Sequence, residues 1–441
     1  MKRNLGIFAL LMTSVLVAPA SAQTRLIVRT TGGTGPINAV CWLLGCHVQA
    51  SIDGSLNQLF LVSLPASPSG SLLGILQPAV SSLSLFTNWP GIVDVELDLP
   101  LQLPTQQTAP PPGNYPSGVY DRTPTDFYGA TVWRSYVDQP ATQIIGLDTA
   151  RQQYNVTGEG VVAVIDTGVD PNQPVLQAVL LPGYDFTRNQ SGADETEDVP
   201  QQSDPTSDSQ PGQVGQSTVG VLNQSTVGVL NGGGYSDFGH GTMTAGIVHL
   251  VAPTARILPL KAFNAQGVGY TSAVLEAIYY AVSHHANVLS MSFDFPQYSG
   301  EMDRAINWAT TNGLVAVASV GNSGIQTQVW PAAFSDVMGI ASSNNQNQRS
   351  TFSNYGSMVW EGAPGEGIVT TYPWNTWAAG WGTSFSAPFV AGTAALLRQL
   401  DGGVCIQSQA ALAISHGQAG GSNLGHGVLY VPAALNPWQL P

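Results

Sequence analysis

The chain has 441 residues, 43% hydrophobic and only 9% charged, with a formal net charge of −14. Its 13 Lys and Arg residues are too few to neutralise a phosphate backbone, which excludes nucleic acid as a partner. At about 150 residues per domain the length allows two or three domains with a sizeable core, and 49 Gly with 30 Pro fit a loop-rich globular chain.

The first 22 residues read as a signal peptide. Lys2 and Arg3 precede an apolar run from Leu5 to Ala18, and Ala20, Ser21 and Ala22 form a small-residue cleavage site. The mature chain would then begin near Gln23 and be secreted. A lone N-terminal anchor is the alternative, but the run is short for spanning, and no later stretch is long enough. Of three cysteines, Cys41 and Cys46 are close and Cys405 is distant, too few for a disulfide framework. A local Cys41 to Cys46 bridge and two small buried thiols both remain open.

From Arg25 to Leu103 the pattern is strand, helix, strand, strand, a weak helix around Leu72 to Leu85, and strand. This predicts a small α+β domain over residues 23–104. Thr105 to Gly118 is rich in Pro and Gly without apolar periodicity, and a linker is expected over 105–140. Beyond Ile144, continuous apolar runs ending at Asp166, Phe293 and Val320 alternate with helical stripes such as Val274, Ile278 and Ala281. The alternation predicts an α/β fold, a mostly parallel central sheet with helices on both faces, whose active site lies outside the carboxyl ends of the strands. Within about 190–235 an insertion carries QSTVGVLN twice, at Gln216–Asn223 and Gln224–Asn231. Two copies do not make a solenoid; a surface insertion is expected, with a substrate-contacting flap as the alternative.

Three segments combine a reactive residue with glycines that permit sharp turns. Asp166-Thr167-Gly168 places a carboxylate at the end of a buried strand, where a turn-forming Asp would also serve. Gly239-His240-Gly241-Thr242 places an imidazole at the start of a small-residue helix, where a structural histidine would also serve. Gly382 to Pro388, GTSFSAP, opens an apolar helix, so Ser384 lies at a helix N-terminus, where a plain Ser N-cap is the competing reading. One mechanism uses all three: a serine nucleophile, an imidazole base, and a carboxylate that orients the imidazole. The order Asp, His, Ser and the lack of Gly-x-Ser-x-Gly separate this chain from the α/β-hydrolases. His426 stands in another Gly-His-Gly without the following helix, His284 and His285 end a helix, and His47, His249 and His416 have no catalytic context. There is no His-Glu-x-x-His and no zinc-spaced Cys pair, which speaks against a metal hydrolase.

In these segments the sequence resembles the subtilisin-like serine proteases, the subtilases: VAVIDTGVD, GHGTMTAG and GTSFSAPFVAG stand where that family has its three signatures. The likeness runs roughly from Ile144 to Leu435 and includes VAPTARILPLKAFNAQGVG, APGEGI and GHGVLYVPAAL. It implies a catalytic domain over about 141–437 with Asp166, His240 and Ser384 as the triad. It also implies, through VASVGNSG, that Asn322 is the side-chain donor of the oxyanion hole, an ordinary turn asparagine being the plainer alternative. An amide after a strand end can point at the same space as the helix-start N–H of Ser384. The implied activity is endopeptidase cleavage of proteins or peptides through an acyl-enzyme, with no organic cofactor.

The 23–104 unit occupies the place of a subtilase propeptide and has a similar element order. The expectation is that it assists folding, occupies the cleft as an intramolecular inhibitor, and is removed by cleavage between about Leu103 and Tyr136; a permanent N-terminal domain is the alternative. Two features depart from the family pattern. Phe293, Asp294 and Phe295 follow Ser292 where the family presents a glycine-containing edge to substrate. The insertion is acidic, with Asp194, Glu195, Glu197, Asp198, Asp204 and Asp208, and oxygen-rich loops can hold calcium; without regular ligand spacing, a solvated acidic loop is the other reading. Two rival functions use the same fold: a catalytically silent secreted module that binds peptides, and an esterase with the same triad. Labelling by a fluorophosphonate separates the first rival, and comparing peptide with ester turnover separates the second.

Overall fold

The computed structural model describes residues 24–65, 86–103, 118–199, 213–214, 217–221, 235–403 and 405–436. The expected signal peptide, the weak helix around Leu72 to Leu85, the first part of the linker, Asp204, Asp208 and the second QSTVGVLN copy lie outside the described residues. The chain forms two compact units, Met1–Ala50 with Gln58–Leu97, and Ser51–Asn57 with Asp98–Pro441.

In the first unit, β1 (Arg25–Thr30), α1 (Gly35–Leu44), β2 (His47–Ser51), β3 (Leu59–Ser63) and β4 (Ile92–Leu97) follow in order. They build a four-stranded sheet, β2-β3-β1-β4, with β1 antiparallel to both β3 and β4. Alternate residues of a strand share a face, so Leu26, Val28, Phe60 and Val62 meet Ile37, Val40 and Leu44, which recur at helical spacing on α1. Cys41 and Cys46, left open by the sequence, form a disulfide across the end of α1, whereas Cys405 is a buried thiol.

The second unit begins with β5 (Pro100–Gln102), β6 (Pro124–Phe127), β7 (Ala130–Trp133), α2 (Arg134–Val137), α3 (Pro140–Ile144) and α4 (Leu147–Tyr154). The linker expected over 105–140 takes in residues 118–140, and here the structure differs. β6 and β7 pair as an antiparallel hairpin, and Phe127, Val132 and Tyr136 are buried in the main core. The Tyr136 hydroxyl donates to the Gly246 carbonyl at 2.7 Å. Three large apolar side chains without helical or strand period evade pattern reading yet bury enough surface to order the segment.

The strands β8 (Val161–Asp166), β9 (Tyr184–Asp185), β10 (Gln190–Ser191), β11 (Gln213–Val214), β12 (Ser217–Val221), β13 (Arg256–Lys261), β14 (Val268–Tyr270), β15 (Val288–Met291), β16 (Val315–Ser319), β17 (Met338–Ser343), β18 (Val359–Pro364), β19 (Ile368–Tyr372) and β20 (Thr376–Trp381) carry the rest, with helices α5 (His240–Val251), α6 (Thr271–Ser283), α7 (Gly300–Thr311), α8 (Thr383–Leu400) and α9 (Gln407–Ile414). Eight strands form the central sheet in the order β10-β9-β13-β8-β15-β16-β17-β18. All its neighbours are parallel except the β10–β9 edge pair. A second sheet, β11-β12-β20-β19, is antiparallel where β12 meets β20 and β20 meets β19. The first QSTVGVLN copy supplies the strand β12, paired with β20.

Both faces of the central sheet are covered, which explains its continuous apolar runs. Val162, Val164, Val288, Val317 and Ile340 cluster with Ala245 and Val248 of α5 and with Phe385 and Phe389 of α8. The intervening Ala163, Ile165, Leu289, Ala316 and Ala318 are equally buried and point the other way, toward α6 and α7, which pack on each other and against β13 and β16. Burial of each large aliphatic contributes roughly 1.5 to 3 kcal/mol. Helix α8 is apolar around most of its circumference because it is enclosed by the sheet and by α5.

Helix α5 lies directly on β19. The hydroxyls of Thr370 and Thr371 donate to the Met243 and Thr242 carbonyls at 2.8 Å. A side chain at Gly246 would collide with both hydroxyls. In an open helix Gly→Ala gains about 1 kcal/mol; at this position overpacking of roughly 1 to 3 kcal/mol outweighs it. Gly246→Ala is expected to lower the midpoint of denaturant unfolding, and a higher midpoint would contradict this packing.

Candidate active site

Strand β8 ends at Asp166, and α5 begins at His240, so one parallel strand and one helix bring the two residues together. His240 Nδ1 lies 2.7 Å from Asp166 Oδ1, with 0% of the imidazole and 3% of the carboxylate side chain exposed. The same Oδ1 accepts the Thr167 N–H at 2.7 Å, and Oδ2 accepts the Thr244 hydroxyl at 3.1 Å. Thr244 is one helical turn beyond His240, the spacing that puts i and i+4 on one face. Gly241 makes the approach possible, since a Cβ there would strike the Gly168 carbonyl oxygen.

Burial acts most strongly on the His240 ring and opposes its charged form. The charge and hydrogen bond of Asp166, with further help from Asp237 and Glu195, outweigh that penalty and hold the imidazole above the ordinary histidine range. The other ring nitrogen, Nε2, makes no hydrogen bond to any described residue.

Ser384 is the second residue of α8, whose N-cap is Gly382. The plain Ser N-cap reading is therefore not what the structure contains. Its hydroxyl donates to the Ser292 carbonyl at 3.1 Å, and the Ser292 hydroxyl donates to the Ser384 carbonyl at 2.9 Å. Pro388 explains the second bond: four residues on, it has no N–H to give the Ser384 carbonyl, and Ser292, just past the end of β15, takes that place. The Phe385 ring lies 5.9 Å from the His240 ring, so the start of α8 abuts the start of α5.

Asn322 follows β16. Its Oδ1 accepts both the N–H and the hydroxyl of Thr383, at 2.8 and 2.9 Å. Anchoring the oxygen leaves Nδ2 as the donor end of the amide, beside the first turn of α8, whose N–H groups have no carbonyl one turn back within the helix. The structure thus joins Asp166 to His240 by a hydrogen bond and ties Asn322 to the residue before Ser384.

The Phe293-Asp294-Phe295 departure is absorbed structurally. Phe293 is buried against Phe263, ring centroids 5.1 Å apart, and Phe295 pairs its backbone with Trp330 in both directions. Strand β14 carries β5 as an antiparallel partner, with Gly269 opposite Leu101. Leu103 N–H donates to the Gly267 carbonyl at 2.8 Å, and the Asp98 carboxylate accepts the N–H and hydroxyl of Ser272 at 2.8 and 3.0 Å.

The described part of the acidic segment is solvated only in part, with Glu195 buried and Glu197 exposed, and it does not fit calcium. Arg188 bonds the carboxylates of Asp185, Glu197 and Asp198, and Lys261, wholly buried, donates to Asp198 at 2.6 Å and to the Thr167 and Phe263 carbonyls. These cations occupy the oxygens a calcium ion would need. Among the described residues no group of three or more His, Cys, Asp or Glu is placed to hold a metal ion. Sequence reading missed Ser292, Thr244, Lys261 and the burial of Glu195. Thr244 was within reach through its i+4 spacing, whereas the others are set by contacts between distant segments.

Known proteins share the sequence and the fold of this chain. The chain is 33% identical over 246 residues to thermitase of Thermoactinomyces vulgaris, covering 54% of this chain and 74% of that protein. It is 35% identical over 170 residues to subtilisin BL of Lederbergia lenta, covering 36% of this chain and 63% of that protein. The fold is shared with a cold-adapted subtilisin-like serine proteinase, with a TM-score of 0.50 and 25% identity over 63% of this chain and 90% of that one. It is also shared with fervidolysin from Fervidobacterium pennivorans, a keratinolytic enzyme related to subtilisin, with a TM-score of 0.67 and 20% identity over 96% of this chain and 62% of that one. Residues 158–412, a span that holds Asp166, His240, Asn322 and Ser384, match the Subtilase family, and the chain belongs to that family of serine endopeptidases.

Proposed function

We propose that the protein is a secreted serine endopeptidase made as a precursor, with Ser384 as nucleophile, His240 as general base and acid, and Asp166 as the group that orients and stabilises the imidazolium. The observation that carries this reading is the 2.7 Å hydrogen bond between His240 Nδ1 and Asp166 in a buried site. With Nδ1 engaged, Nε2 is the nitrogen that takes the serine proton. Rotation of the Ser384 hydroxyl away from the Ser292 carbonyl redirects that proton to Nε2. Oγ then bonds the peptide carbonyl carbon, and the carbonyl oxygen becomes an oxyanion held by Asn322 Nδ2 and the N–H of Ser384. Collapse breaks the C–N bond, His240 returns the proton to the leaving amine, and water releases the acyl group by the reverse sequence.

The strand Pro100–Gln102 on β14 supports the propeptide reading. It lies where an extended peptide substrate would add to the same edge, and Gly267, beside Leu103, also touches the Asp237 side chain three residues before His240. Removal of the N-terminal unit by cleavage between Leu103 and Val119 would keep the buried Phe127 and Tyr136 with the catalytic unit. The export-signal pattern at Lys2 to Ala22 supports secretion. Among the described residues no helix is long and apolar enough to cross a membrane.

Ser384→Ala is expected to retain the fold, shown by an unchanged circular dichroism spectrum, while losing peptide hydrolysis and fluorophosphonate labelling. Persistent hydrolysis would remove Ser384 from the mechanism. Asn322→Ala is expected to lower kcat about 100- to 1,000-fold, the magnitude known for losing such a donor in a subtilisin, and a wild-type rate would refute its oxyanion role. N-terminal sequencing of active secreted material is expected to find a start after Leu103. Fully active enzyme beginning at Gln23 or Thr24 would contradict processing.

A further inference from the structure

Glu195 is wholly buried and takes no direct part in the mechanism above. Its Oε2 accepts the Thr167 hydroxyl at 2.9 Å and the Gly239 N–H at 2.8 Å. Its Oε1 accepts the Thr242 N–H at 3.0 Å and also the Thr242 hydroxyl. The Thr167 oxygen in turn accepts the Gly241 N–H at 2.9 Å. Each donor belongs to one of two segments, the turn directly after Asp166 or the first turn of α5 around His240. The N-cap of α5 is Gly239, which has no side chain to cap the helix, so one carboxylate from a distant loop serves the donors that an Asp or Ser cap would satisfy. A negative charge there also matches the positive end of the helix dipole.

We propose that Glu195 is a positioning residue for peptide hydrolysis: its carboxylate ties the turn after Asp166 to the first turn of the His240 helix and so fixes the imidazole. The inference rests on the catalytic reading of Asp166, His240 and Ser384. All the groups bonded to Glu195 are donors, so the geometry suits an ionised carboxylate, and a proton on either oxygen would displace one of those bonds. The charged and titratable groups that act with it are Asp166, Asp237, His240, Lys261 and Tyr372. Burial is the largest influence on Glu195 and pushes its carboxyl up to about 7, with Asp166 adding to the rise and with the Thr242 bond, Lys261 and the Thr167 bond opposing it. Asp237 and Glu195 both favour the imidazolium of His240, and Glu195 contributes to holding the Tyr372 phenol up.

The test is Glu195→Gln in the full-length, secreted protein, with kcat and KM for a peptide substrate measured across pH. The variant keeps the side-chain shape, loses the charge, and turns an N–H₂ group toward backbone donors. Expected is a fall in kcat of about 10- to 100-fold, as for misplacement of a reacting group, with KM little changed. The acidic limb of kcat/KM should also move to lower pH, because a charge that favours the imidazolium is gone. A capping role alone would lower stability and leave the limb in place. A rate and a limb matching wild type, or a loss accounted for by unfolded protein with the limb unmoved, overturns the proposal. Should Glu195→Gln not fold, Thr242→Val answers the same question. It removes one donor, raises the proton affinity of Glu195, and should shift the limb the same way by less; an unmoved limb overturns the proposal. Ser384→Ala measured alongside separates the failures. Hydrolysis surviving there overturns the catalytic reading and this inference together, whereas an inactive Ser384→Ala with wild-type behaviour of Glu195→Gln overturns this inference alone.

Discussion

A carboxylate and an imidazole hydrogen bonded out of contact with water, Asp166 to His240, form the interaction around which the second unit is arranged. Removing a charge from water costs several kcal/mol unless neighbours replace the lost hydrogen bonds. Asp166 recovers them from the Thr167 N–H, the Thr244 hydroxyl and the His240 ring. Lys261, opposite Asp166 in the register of β13 and β8, turns its ammonium to the Thr167 and Phe263 carbonyls and to Asp198. The same ammonium therefore fixes the turn that follows Asp166 and anchors the acidic segment.

The chain is poor in charge, yet it gathers several of its charged groups in its interior. Asp166, Asp185, Glu195 and Lys261 are nearly or wholly buried, each within a network of donors and acceptors. Such networks are weak sources of stability against an apolar replacement, but removing one partner strands the other at a cost of about 3 to 5 kcal/mol. They specify one arrangement of segments more than they strengthen the fold. Glu361 on β18 is the contrast. It is buried with neither oxygen bonded to a described residue, and burial, which disfavours the charged form, pushes its carboxyl well above the ordinary range.

Close backbone approach is the second requirement. The Gly168 carbonyl touches Gly241, and the Thr370 and Thr371 hydroxyls touch Gly246, so α5 sits as near to the Asp166 turn and to β19 as a helix without side chains on those faces permits. At α8 the absence of a donor at Pro388 opens the Ser384 carbonyl to the Ser292 hydroxyl. In both helices the residue proposed to react stands at the first turn, where the backbone donors are unsatisfied within the helix and the neighbouring segments must supply partners.

What the sequence determined by itself is what short range controls. Apolar runs covered on both faces marked the parallel strands, helical stripes marked α6 and α7, and glycine-flanked Asp166, His240 and Ser384 marked the ends of β8 and the starts of α5 and α8. Each depends on residues within a few positions of one another. Tertiary structure alone decided the rest. Residues 118–140 are part of the folded unit rather than linker because Phe127 and Tyr136 find a core built from later segments. Glu195 is engaged by the α5 N-terminus and Asp198 by Arg188 and Lys261, because burial and charge pairing depend on which distant chains close over a side chain. Local pattern carries periodicity and turn chemistry; it carries no record of whether a carboxylate many residues from its partner will be exposed to water or enclosed beside an imidazole.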